Sequence, residues 1–193
     1  MNKWQRFALG VALTATAAGS VAVASGAANA QPAESAASSR SVTQSWRHSE
    51  PAQVTANKKV VEAFMNDVLD AHHGSHAARY LSKNMAWHGG TVGTVAGRDN
   101  VTGLMTTVVT SIPDLHASVK DIFGQGDEVV VRLVVTGTQK GPLLGIPASN
   151  RAVKWDAIDL YHLSCGKITE EWAGEDFTAF LNTTGTYKAP WIP

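Results

Sequence analysis

The stretch "GDEVVVRLVVTGTQ", Gly126 to Gln139, decides the fold. Val129, Val131, Leu133 and Val135 alternate with Val130, Arg132, Val134 and Thr136, the period-2 pattern of a strand with one face buried and the other wetter. "HASVKDIFG" before it alternates too, and "GQGD" supplies the tight turn between them. After it, "RAVKWDAIDLYHLSCGKITEEWAGED" reads as two further strands joined at Cys165-Gly166. An antiparallel meander therefore occupies the second half of the chain, and "FTAFLNTTG" closes it with a short helical piece.

Upstream the period is helical. "ANKKVVEAFMNDVLDAHHG" places Val60, Val61, Phe64, Met65, Val68 and Leu69 on one stripe, with Asn57 as the expected N-cap and Gly74 as the expected stop. "HAARYLSKNMAWHGG" reads as a second short helix running into an extended turn. "GRDNVTGLMTTVVTSIPD" reads as a third helix, with Asp99 in its first turn and Pro113 just past its end. Helices first and a meander after define an α+β domain. A sheet covered on one face by helices leaves a mouth where a small ligand fits.

The first thirty residues stand apart. Lys3 and Arg6 precede an apolar run rich in Ala, Gly, Thr and Ser, and Ala28-Asn29-Ala30 is a small-x-small cleavage site. This is the plan of a secretory signal peptide cut after Ala30, with no stable membrane insertion expected. Residues 31–50 are Ala/Ser-rich and aperiodic, a flexible linker, so the domain proper is expected over 51–193. The mature chain carries 14 Lys+Arg against 16 Asp+Glu, a net of −2, which is no footprint for nucleic acid. Cys165 is the only cysteine, so an intramolecular disulfide is excluded and the core alone must hold the fold.

The chemistry-bearing stretch is "EEWAGEDF", Glu170 to Phe177. In an extended segment Glu170, Trp172, Gly174 and Asp176 share one face, and Glu171, Ala173 and Glu175 the other. Asp176 then points the same way as the Trp172 indole. A carboxyl beside an indole in an apolar cavity is desolvated, and its proton affinity rises toward that of a general base, leaving Glu171 and Glu175 in solvent. Asp176 also suits the N-cap of the helix that follows, and both roles are open. Asp159 and Tyr161 share a strand face with Trp155. In "AHHGSH", His72 and His76 are four apart, but Gly74 interrupts them and no carboxylate sits at ligand spacing, so no metal site is expected.

The ordered series His88-Gly89, Gly97-Arg98, Pro113-Asp114-Leu115, "GTQKGPLLGIP" from Gly137 to Pro147, "IDLY" from Ile158, "GKI" from Gly166, "EEW" from Glu170 and Asp176 resembles the SnoaL-like polyketide cyclases and their ester cyclase relatives. These belong to the nuclear transport factor two-like superfamily. The resemblance spans roughly residues 57–185. It implies a cone-shaped α+β fold and chemistry without cofactor or metal, with Asp176 as general acid/base and His88 lining the pocket. Trp87, Trp155, Trp172, Gln139, Asp159 and Tyr161 complete the expected pocket. Gln139 stands where the family commonly has His. The implied function is proton abstraction alpha to a carbonyl of a small apolar molecule, with a non-catalytic binding module on the same cone as the alternative. By analogy with such cones, a homodimer is expected.

Overall fold

The computed structural model describes residues 50–192. The signal peptide and nearly all of the linker expected from the sequence lie outside these residues. Among the described residues no helix is long and apolar enough to cross a membrane.

Helix α1 (Ala52–Phe64) runs without interruption into a π-helical turn, Met65–Asp70, and a 3-10 turn follows over Gly74–Arg79. Strand β1 (Leu81–His88) leads through a second 3-10 turn to the short β2 (Thr94–Ala96) and then α2 (Arg98–Ser111). The meander comprises β3 (His116–Gln125), β4 (Glu128–Thr138), β5 (Ala152–Ser164) and β6 (Lys167–Glu175), and α3 (Phe177–Thr184) follows. The six strands form one sheet in the order β2-β1-β6-β5-β4-β3, antiparallel except where β1 runs parallel to β6.

The meander and the helix over Arg98–Ser111 follow the sequence expectation. Other readings of the helical half need correction. Gly74 does not stop the first helix, which ends at Asp70; it opens the 3-10 turn that follows. "LSKNMAWH" is a strand, β1, not the continuation of a helix: Met85 and Trp87 are buried while Lys83 and Asn84 are exposed, and this segment finds its partner in β6, far along the chain. Asn57 is not an N-cap. Helix α1 starts after Pro51, and Asn57, 1% exposed, lies one turn inside it with its side-chain amide donating to the Gly126 carbonyl. Proline before the first turn sets the start, because its fixed φ suits a helix and its missing N–H is not needed there.

The core lies between the sheet's concave face and the helices. Val129, Val131, Leu133 and Val135 of β4 are buried there with Val61, Phe64, Val68 and Met105 of the helical layer. Burial stabilises by about 1.5–3 kcal/mol for each such large side chain, before chain entropy is subtracted.

One irregularity sets which side chains of β6 face that core. Ser164 pairs with Lys167 and Leu163 with Ile168, but His162 pairs with Glu170, leaving Thr169 as the extra residue of a β-bulge. The Thr169 hydroxyl donates to the His162 carbonyl at 3.0 Å and so satisfies the interrupted ladder. A one-residue slip exchanges the two faces of a strand. Beyond the bulge Glu171, Ala173 and Glu175 point inward, and Glu170, Trp172 and Gly174 point outward, the reverse of the facing expected from the sequence.

Candidate active site

The cone encloses a cavity of about 710 Å³, counting its open mouth. Its sheet floor is Trp87 from β1, Leu133 and Val135 from β4, Trp155, Asp159 and Tyr161 from β5, and Glu171 and Glu175 from β6. Its roof is Phe64 and Leu69, then Leu104, Met105 and Val108 of α2, then Leu115, Leu143, Leu144 and Phe177. Every roof residue is apolar. All ionisable groups of the lining stand on β5 and β6, and none is basic.

Strand register brings three carboxyls together. Glu171 faces Tyr161, Ala173 faces Asp159, and Glu175 faces Ala157 across the β5–β6 ladder. Asp159 thus lies on the diagonal between the two glutamates, with two alanines leaving room around it. The Tyr161 hydroxyl is 3.4 Å from both Asp159 Oδ2 and Glu171 Oε1. The Trp155 indole N–H donates to Glu175 Oε2, and its ring meets Phe180 edge-on at 5.3 Å. Asp159 and Glu171 are 3% and 5% exposed, and one oxygen of each, Oδ1 and Oε2, has no hydrogen-bond partner.

Burial without a counter-cation disfavours the charged form. Desolvation pushes Asp159 well above the ordinary carboxyl range, and the charges of Glu175 and Glu171 push it further. Glu171 is raised by desolvation and by the Glu175 charge, against the polar groups of Tyr161 and Trp87, which favour its ionised form. Glu175 is raised by desolvation, with the Trp155 indole N–H opposing. The Tyr161 phenol is raised as well, mainly by burial and then by the neighbouring carboxyls. Near neutral pH the trio therefore retains protons, and an acid and a base can coexist in one apolar chamber.

The structure brings Trp87, Trp155, Asp159 and Tyr161 into the cavity as the sequence reading places them. It sets the other four expected residues elsewhere. Asp176 is exposed and caps α3, its Oδ1 accepting from the Ala179 N–H at 2.9 Å. Trp172, 41% exposed, and His88 lie on the convex outer face of the sheet, where their rings stack at 5.2 Å and His88 Nδ1 is 3.2 Å from the Thr94 hydroxyl. The bulge at Thr169 turns Trp172 outward, and His88, its partner on β1, faces the same way because Trp87 before it points into the cavity.

Gln139 is fully buried outside the lining. Its amide N–H groups donate to the Ile146 and Pro147 carbonyls, and its Oε1 accepts from Ser149 N–H at 3.2 Å. It braces the loop that lends Leu143 and Leu144 to the roof.

Glu171 and Glu175, expected in solvent from the sequence, line the cavity instead. The available signal was their spacing: residues two apart in a strand share a face, and an inward Tyr161 needs an inward partner on the neighbouring strand.

The family described as SnoaL-like polyketide cyclase matches residues 59–183. The chain belongs to that family, and its curved six-stranded sheet under N-terminal helices is the cone fold of the nuclear transport factor two-like proteins. Among solved structures, a protein named as a SnoaL-like polyketide cyclase from Jannaschia sp. CCS1 superposes with a TM-score of 0.66 at 23% identity, over 72% of this chain and 97% of that one. TsrD from Streptomyces laurentii gives 0.62 at 22% identity, over 69% of this chain and 97% of that one. A LEH-like epoxide hydrolase of M. tuberculosis gives 0.57 at 13% identity, over 69% and 92%. At these identities the likeness is one of fold. No curated protein matches the chain in sequence.

Proposed function

We propose that the cavity transfers a proton on a small, largely apolar carbonyl compound, removing it alpha to the carbonyl and returning it elsewhere. Glu175 acts as the base. It is the carboxyl whose ionised form the Trp155 indole supports, and its raised proton affinity suits a base that works near neutral pH. Asp159 and Glu171, more deeply buried, keep their protons and donate to the oxygen on which negative charge develops. The observation that carries this reading is the pair of unpartnered oxygens, Asp159 Oδ1 and Glu171 Oε2, in the wall of a cavity whose roof is wholly apolar. A buried polar atom without a partner is costly, and a substrate oxygen would relieve both when these carboxyls are protonated. The apolar roof supplies binding energy and keeps water out.

The test is deuterium exchange at the alpha carbon. A panel of aryl ketones and aromatic keto esters is incubated with the protein in D₂O and followed by proton NMR. Wild type and Asp176→Asn are expected to exchange the alpha protons, and Glu175→Gln to do so about 10²–10⁴-fold more slowly. Panel members that bind without exchange, unaffected by Glu175→Gln, would instead make the cone a non-catalytic binding module for an apolar molecule.

We further read the chain as exported, on its first thirty residues, and N-terminal sequencing of the mature protein should then begin at Gln31. We also read it as a homodimer paired through the outer sheet face. There the register aligns His88, Trp172, Leu160, Val130 and Phe123 in one row, with Phe123 56% and nearby Ile158 58% exposed.

A further inference from the structure

A second cluster of chemistry-bearing side chains lies outside the cavity, where the π-helical turn meets the 3-10 turn. Asp67 sits inside the π-helical turn, whose widened ring is closed by Ala71 N–H donating to the Asn66 carbonyl at 2.9 Å. The chain then folds back, and His73 N–H donates to the Asp67 carbonyl. This return brings two imidazoles to one carboxylate: Asp67 Oδ1 is 2.8 Å from His73 Nδ1 and 3.0 Å from His76 Nδ1. The ligand atoms of all three residues lie within 4.8 Å of one another. The sequence reading paired His72 with His76, but the His72 ring turns away, its Nε2 2.8 Å from the Leu115 carbonyl.

These contacts conflict when only protons are available to bridge them. Arg79 Nη1 lies 3.1 Å from His76 Nδ1, and a guanidinium can only donate, so Nδ1 must offer a lone pair. The same Nδ1 faces Asp67 at 3.0 Å, where it must carry a proton. A single nitrogen cannot do both. A cation between Oδ1 and the two Nδ1 atoms would take a lone pair from each. Around zinc, N and O ligands at about 2.0–2.2 Å stand roughly 3.3 Å apart, so Asp67 Oδ1 needs to part from each of the two nitrogens by only a few tenths of an ångström. Asp67 is also oriented from behind as ligating carboxylates are, its Oδ2 accepting from the Tyr80 hydroxyl at 2.9 Å. His73 is exposed and Arg79 is 64% exposed at its side chain, so the site opens to solvent and the guanidinium has room to withdraw.

We propose that Asp67, His73 and His76 form a binding site for a divalent transition-metal ion of the zinc class, with Tyr80 orienting the carboxylate and water completing the coordination. Two imidazoles and one carboxylate suit zinc and its neighbours and are a poor set for calcium or magnesium. The site's place in the fold gives it a role distinct from the cavity chemistry. Phe64 and Leu69, both in the cavity roof, lie on either side of Asp67 in sequence, and the Tyr80 ring packs edge-on against Phe64 at 6.0 Å. A bound ion would fasten the π-helical turn to the 3-10 turn and stiffen that part of the roof.

The experiment is calorimetric titration of the untagged, metal-free full chain with zinc chloride, in two buffers of different ionisation enthalpy. One equivalent should bind with proton release, because the imidazoles must be deprotonated to ligate. Asp67→Asn should weaken binding about a hundredfold, the double variant His73→Gln/His76→Gln should abolish it, and Tyr80→Phe should weaken it roughly tenfold. His116→Gln, which touches Asp70 rather than Asp67, should leave it unchanged. Cobalt(II) should give the intense visible bands of a four-coordinate N/O set in wild type and in His116→Gln, and none in the double variant. The proposal is overturned if wild type takes up no stoichiometric zinc. It is equally overturned if uptake survives in the double variant. Should the double variant not fold, as read by circular dichroism, an undiminished affinity in Asp67→Asn would be decisive against it.

Discussion

Tyr161 stands directly across the β5–β6 ladder from Glu171, with its hydroxyl 3.4 Å from the glutamate's Oε1 and fully buried. The phenol favours the ionised form of Glu171 and so restrains the rise in proton affinity that burial imposes. Tyr161→Phe removes that restraint without changing the packing of the ring. The Glu171 ionisation, followed by carboxyl NMR, should move further alkaline, and stability should fall by about 1 kcal/mol for the lost buried hydrogen bonds.

The carboxyl trio also makes stability depend on pH in an unusual direction. Below the ordinary carboxyl range both folded and unfolded chains are protonated, and the trio has no effect. As pH rises, the unfolded chain releases its protons, while the folded chain keeps them until about 7 at Glu175 and about 8 at Glu171. The folded state binds more protons across that window, so stability must fall with rising pH. Asp67 and Asp114, held below the ordinary range by their hydrogen bonds, act in the opposite sense, but only at acid pH. The melting temperature should therefore be lower at pH 8 than at pH 5. Glu171→Gln should reduce the slope and raise the melting temperature at pH 8.

Asp176→Ala should separate capping from chemistry. Loss of the bond to Ala179 N–H should destabilise the domain by about 1 kcal/mol in a denaturant titration. Exchange chemistry in the cavity, measured well below the melting temperature, should be unchanged.

Gly174 lies opposite Ile158, so close that a Cβ would stand 2.4 Å from the Ile158 carbonyl oxygen. No flexible side chain is there to move aside, since the obstacle is backbone. Gly174→Ala should force β5 and β6 apart and cost roughly 1–3 kcal/mol. The same distortion displaces Glu175, so activity should fall with stability.

On the outer face, Phe123→Asp should convert a dimer to a monomer in light scattering coupled to size exclusion, with the fold retained because Phe123 is more than half exposed. A wild-type chain that already runs as a monomer would remove this reading of the face.

The architecture was legible because its signals are local and periodic. Val129 to Val135 alternate, and Cys165-Gly166 takes positive φ at both residues, as a two-residue hairpin turn demands. Strand β1 was less legible because its main partner, β6, lies some eighty residues away and its own alternation is short. The site was half legible. Trp155, Asp159 and Tyr161 follow from the regular alternation of β5. On β6 the alternation is equally clear, but its phase depends on one residue. Carried on from Ser164 and Lys167 without a bulge, the ladder would set Tyr161 opposite Glu170, and Trp172 and Asp176 would follow it inward. Thr169 adds one residue, and its hydroxyl bond to His162 has no one-dimensional signature. The same limit applies to Asp67, whose imidazole neighbours depend on the width of a π-helical turn.

The division between a sheet floor that carries every ionisable group and a roof of nine apolar side chains has an evolutionary consequence. Substitutions in α2, in the 139–150 loop or at Phe177 can reshape the chamber without moving a proton donor or acceptor. Substitutions on β5 and β6 alter the chemistry while leaving the outline of the chamber nearly intact. Specificity and reactivity are thus inherited on separate segments of chain, and a lineage built on this frame can change what it accepts one methyl group at a time while keeping the acids that act on it.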